Sequence, residues 1–166
     1  MTREEALDFL RRHQPLPDTA DVWLLDQLRA AILTFHNNPD PACIPLLLHA
    51  FGLFDDIHIY QALNDAMKQH KHEDVVPHLV HALGSQHQFV RFTAAGVAAC
   101  FPDEDLIESL EPLLSDGQPV IRLAAVAALE KIGGPEVRRL FKTRLIFEND
   151  PDVTEALESF IELYND

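Results

Sequence analysis

The stretch "VIRLAAVAALEKIGG", Val120 to Gly134, decides the fold. Its apolar residues Ile121, Ala124, Ala125, Ala128, Leu129 and Ile132 recur at helical spacing and mark one buried stripe. "GGP", Gly133 to Pro135, ends it, because glycine accepts a left-handed cap and proline cannot continue a helix. Thirty-one residues earlier the chain reads "FVRFTAAGVAACFP", Phe89 to Pro102, with the same hydrophobic-Arg-x-x-Ala opening. A helix that returns at a fixed step is one copy of a repeating unit.

Sliding the chain by that step brings other positions into register. Val90 and Arg91 fall on Ile121 and Arg122, Leu83 on Leu114, Leu79 on Leu110, Val76 on Ile107 and Asp74 on Asp105. Upstream, Ile59, Ala62, Leu63 and Ala66 fall on Val90, Thr93, Ala94 and Val97, and a further step reaches Leu28, Ala31, Ile32 and Phe35. Downstream the register slips by one residue in "FENDPD", after which Val153, Leu157 and Ile161 resume the pattern. Each unit holds two helical stripes around a turn such as "SDGQP". The expectation is ten helices near 2–13, 20–36, 41–52, 57–70, 73–84, 87–101, 103–115, 118–132, 135–147 and 151–164.

These pair into five hairpins, approximately 2–36, 41–70, 73–101, 103–132 and 135–164, within a single domain. A hairpin of this size cannot bury its own stripe, so the units must stack. The predicted architecture is all-α, a right-handed α-solenoid with first helices on the convex layer and second helices on the concave one. Alanines at 94, 98, 124, 125 and 128 permit close helix approach.

"LLSDGQP" followed by "VIRLAAVAALEKIGG" resembles the short HEAT-like repeat of phycobilisome-lyase-type proteins, with Asp116, Arg122, Ala125, Leu129 and Gly133 at that family's positions. "HQFVRFTAAGVAA" is a second match. The resemblance implies that Asp116, Arg91 and Arg122 are structural and bridge neighbouring units. Deoxyhypusine hydroxylase-like repeat proteins carry a His-Glu pair after that Arg for two irons. Here Phe92-Thr93 and Leu123-Ala124 stand there and cannot ligate.

Thirteen Lys and Arg against 27 Asp and Glu give a net charge of −14. Such a field repels phosphate backbones and anionic membrane surfaces and suits a basic partner. From Leu145 onward seven acids occur with no Lys or Arg, just after a basic knot of Arg138, Arg139, Lys142 and Arg144. The N-terminus "MTREEALDFLRR" argues against a secretory signal, and Cys43 and Cys100 read as reduced core thiols of a cytoplasmic protein. No cofactor is implied. Asp74, His78 and His81 share a helix face at i, i+4, i+7 and are the weak metal candidates, on a face expected to be solvated.

The second-helix positions facing away from the buried stripe are where a partner would sit. They are Gln61, Asn64, Asp65 and Lys68 with Tyr60 alongside, then Phe92, then Leu123, Val126 and Glu130, and last Glu155, Glu158 and Glu162. An apolar middle of Phe92, Leu123 and Val126, flanked by acids, is the pattern of an interaction groove. The expected function is a non-catalytic module that binds a partner protein as a monomer or weak dimer. An immunity protein neutralising a basic bacterial toxin is the sharpest form of that expectation. A bilin-lyase-like chromophore handler and a general adaptor or assembly chaperone are the alternatives.

Overall fold

The computed structural model describes residues 1–17, 20–52 and 57–163. Ten α-helices follow one another, with no strand among the described residues. They are α1 Arg3–Arg12, α2 Val22–Asn37, α3 Cys43–His49, α4 Ile57–Met67, α5 His72–Leu83, α6 Gln88–Ala98, α7 Ile107–Leu110, α8 Pro119–Ile132, α9 Gly134–Leu145 and α10 Pro151–Leu163. The turn at 53–56 in the second expected hairpin and residue 164 of the last one lie outside the described residues.

Local chemistry sets the helix ends. Thr2 caps α1 in a reciprocal box, the Glu5 N–H donating to Thr2 Oγ1 at 3.2 Å and the Thr2 N–H to Glu5 Oε2 at 2.8 Å. Asp21 accepts from the Leu24 N–H at 2.9 Å to start α2, and Asp150 accepts from Asp152 and Val153 to start α10. Gly133 adopts φ +69°, where a side chain would be strained, and its N–H closes α8 on the Leu129 carbonyl at 2.8 Å.

One expected helix is corrected. The segment 103–115 is not continuous: α7 spans four residues between 3₁₀ turns at Glu104–Leu106 and Glu111–Ser115. Pro112 causes the break after Leu110, since it has no N–H to donate and its ring crowds the Glu108 carbonyl four residues back.

The helices stack in two layers. In one, α2 packs on α4, α4 on α6, α6 on α8 and α8 on α10. In the other, α1 packs on α3, α3 on α5, α5 on α7 with its preceding turn, and the turn Glu111–Ser115 on α9. Within hairpins α1 packs on α2, α5 on α6, Glu111–Ser115 on α8 and α9 on α10. The result is an α-solenoid, with one hydrophobic cluster running from Ala6 to Phe160 between the layers. Ala94, Ala98, Ala125 and Ala128 are at most 1% exposed, which is what lets α6 and α8 approach closely. Ala124 is half-buried beside them.

Both cysteines are free thiols. Burial, then the Asp40 carboxylate, pushes the Cys43 thiol up to about 12, so it stays protonated although its Sγ lies 3.5 Å from His70 Nε2.

Candidate functional site

Two features run along the second-helix layer: an ion-pair ladder at the turns and an apolar band across the helices. The ladder begins on α6. Arg91 donates from Nε to Asp116 Oδ2 at 2.9 Å, in the turn that leads into α8. Its Nη1 also donates to the Ser85 and Gln86 carbonyls at 2.9 and 3.1 Å. One repeat later Arg122 of α8 donates from Nε and Nη2 to the two Glu148 oxygens at 2.9 and 2.7 Å, and from Nη1 to the Asp116 carbonyl at 2.9 Å. Each arginine therefore ties its own turn to the next one.

Glu148 is the densest node. Its side chain is fully buried, and it accepts from Arg122, from Arg144 at 3.1 and 2.9 Å, and from the Asn149 and Asp150 N–H groups at 3.0 Å each. In the sequence Glu148 stands out only as one of seven acids after Leu145. Aligning "FENDP" with "SDGQP" across the one-residue slip would have placed it on Asp116.

Burial alone would raise the Glu148 carboxyl, but hydrogen bonds from Arg122, Asp150, Arg144 and Asn149 outweigh it and hold the group down at about 2, from an ordinary 4.5. The folded value lies below the unfolded one. Its stabilisation is therefore complete above about pH 4.5 and is lost as pH falls toward 2. The gap corresponds to about 3 kcal/mol, of which roughly 2–3 kcal/mol is lost between pH 5.5 and 2.5. In urea titrations at pH 5.5 and 2.5, the native chain should lose about that much more stability than the Glu148→Gln variant. Equal losses in the two proteins would refute this role for Glu148.

The band lies beside the ladder. Tyr60 of α4 is half-buried, its ring 5.3 Å from Phe51 and 5.6 Å from Phe92 of α6, edge-on to the latter at 82°. Phe92 is half-buried and Leu123 of α8 is 36% exposed. These two hold equivalent places on neighbouring helices.

Val126 is a correction. Expected on the groove floor, it is 1% exposed and belongs to the core, as does its equivalent Ala95. Second helices pack side by side as well as against the first layer, so an inner helix buries a wider arc than one hairpin's stripe predicts.

The structure extends the apolar band toward the turns. Val120 precedes Leu123 by one helical turn and is 58% exposed, Phe89 precedes Phe92 and is half-buried, and Ile57 precedes Tyr60 and is 63% exposed. These three precede the buried stripes and so lie outside the outward-facing positions that periodicity marks. The repeated i, i+3 apolar pairs at the starts of α4, α6 and α8 were the available signal. A cleft of about 390 Å³, lined by Pro15, Phe51, Phe89 and Arg91 among others, adjoins the band at the turn edge.

Polar groups flank the band. Gln61 is exposed and Asn64 half-buried, while Asp65 and Lys68 form an exposed pair at 3.5 Å. Glu130, Glu155, Glu158 and Glu162 are exposed and form no ion pair among the described residues.

The weak metal candidates are not brought together. Asp74 and His78 are half-buried and His81 is exposed, with its ring 5.6 Å from His49. Among the described residues no three His, Cys, Asp or Glu side chains are placed to hold an ion.

Stacked helical hairpins, two of whose successive turns are tied by Arg91 and Arg122, define the chain as an α-solenoid. Residues 85–161 match the family model for HEAT repeats, and that segment is built of them. The chain is also 35% identical over 86 residues to an uncharacterized phycocyanin operon protein Z from Pseudanabaena tenuis. The match covers 47% of this chain and 43% of that protein, so the chain spans less than half of its relative's length. HEAT repeats generally serve as helical scaffolds in protein interactions. No helix among the described residues is long and apolar enough to cross a membrane.

Proposed function

We propose that the chain is a non-catalytic scaffold that binds a partner protein across the second-helix layer. One observation carries this reading: Phe92, Val120 and Leu123 leave apolar surface open on adjoining helices of a chain with net charge −14. Leu123 and Val120 act as anchors, Tyr60 stiffens Phe92 from the side, and the unpaired Glu130, Glu155 and Glu158 attract a basic rim on the partner. Complementary charge speeds encounter, and the apolar centre supplies the affinity.

The test is a photocrosslinker at position 123 in full-length chain added to host extract, with position 81 as control. A discrete protein should crosslink at 123 and not at 81. In a binding assay with that isolated protein, Leu123→Glu should weaken affinity by at least about 10-fold. Unchanged affinity in that variant would refute the site.

A second reading is handling of a bilin pigment, and the relative named for a phycocyanin operon favours it. The apolar band suits a flat conjugated ligand, whereas its acidic flank opposes the pigment's propionates. An absorbance titration with free bilin should show a spectral shift that Leu123→Glu removes, and a flat titration disposes of the pigment. The toxin-neutralising reading rests on the net charge of −14.

A further inference from the structure

The fifth hairpin carries a second unusual surface, at the end of α9 in the first layer. Ile146 and Phe147 close α9 and are 75% and 69% exposed. In the two preceding repeats the same point of the turn is occupied by Ser115 and Gly84. The one-residue slip between the fourth and fifth repeats falls here, so an insertion has produced an apolar knob where its neighbours are small. The knob is not loose, because the next residue is the buried Glu148, held by two arginines and two backbone N–H groups.

The knob continues a cationic helix face. Ile146 is still in the helical region at φ −62°, so Arg139, Lys142, Thr143 and Ile146 share one side of α9. Lys142 forms no ion pair among the described residues, and Arg139 reaches Glu136 only at 3.9 Å with its side chain 68% exposed. Most other cations of this acidic chain have a carboxylate within 3.6 Å, as Arg12, Lys68, Arg91 and Arg122 show.

We infer that this knob docks on the apolar band of a second copy of the chain. The two surfaces are opposites in charge and alike in apolar content. One sets Ile146 and Phe147 beside Arg139 and Lys142. The other sets Phe92, Val120 and Leu123 beside Glu130, Glu155 and Glu158. The net −14 on each copy opposes association at long range, but salt screens it beyond about 8 Å, leaving the local match to decide. The inference rests on the band being an open docking surface. It adds that self-association and partner binding compete for it.

Sedimentation equilibrium of the full chain, from about 10 µM to about 1 mM at moderate salt, reads the association directly. The native weight-average mass should rise with concentration. It should stay at the monomer value for a knob variant (Ile146→Ser with Phe147→Ser) and for a band variant (Leu123→Glu). All three positions are on the surface, so both variants should keep the native circular dichroism. An equimolar mixture retains one intact knob and one intact band, and should form a heterodimer that neither variant forms alone. A native chain that remains monomeric, or a mixture that does not associate, overturns the pairing. Loss of partner crosslinking with self-association intact would instead overturn the scaffold function and leave the pairing standing.

Discussion

Replacing Glu148 by Ala lowers the melting temperature by roughly 10 °C. Two cations, Arg122 with 7% of its side chain exposed and Arg144 with 17%, converge on this carboxylate. Removing the anion leaves both facing each other in a site that water reaches poorly, and it strips two backbone N–H groups of their acceptor. Breaking a buried pair from one side typically costs about 3–5 kcal/mol. For a chain of this size each kcal/mol shifts the midpoint by about 2–4 °C. Asp116→Ala should cost less, because its one arginine is 21% exposed and keeps two carbonyl acceptors. A thermal melt of the two variants checks the ranking. A Glu148→Ala loss below about 1 kcal/mol, or a larger loss for Asp116→Ala, would mean that the ladder is ornamental to stability.

The repeat was legible because the stacking it encodes is periodic. Arg91 and Arg122 fall 31 residues apart, and so do the buried pairs Leu79 and Leu110. Stripes of that kind announce hairpins whatever their partners. The interior of α8 was less legible, since Val126 looks outward on a helical wheel and is buried only by a neighbouring helix that periodicity within one helix cannot report. Pro112 was visible in the sequence, yet α5 tolerates Pro77 within its span, so proline alone did not settle where the seventh helix breaks. The candidate site was half visible. Phe92 and Leu123 stood out as apolar residues on an outward face, whereas Val120 and Ile57 sit at helix starts, where a hydrophobic residue blends into the turn. Glu148 and the Ile146–Phe147 knob were hidden together, because a single inserted residue shifts the register where both matter.

Replacing Phe141 by Ala unfolds the fifth hairpin ahead of the rest. Phe141 is fully buried on α9, with its ring 4.8 Å from Phe160 of α10 and edge-on at 76°. Removing it deletes the aromatic pair and leaves a cavity, at a typical cost of about 3–5 kcal/mol. In a stacked solenoid that cost falls on particular neighbours, since stability is close to a sum of unit and interface terms. The α9 helix meets α8, α10 and the turn Glu111–Ser115, and α10 meets α8 and α9. Neither makes an extensive contact with α5. Native-state hydrogen exchange should therefore show the amides of α9 and α10 losing protection in Phe141→Ala, while those of α5 and α6 keep most of theirs. The Arg122–Glu148 bridge would open with the hairpin, so the local transition should also move with pH in the range where Glu148 titrates. Uniform loss of protection from α1 to α10 would indicate that the two layers fold as one indivisible unit, and that stacked hairpins describe the shape of the molecule but not its energetics.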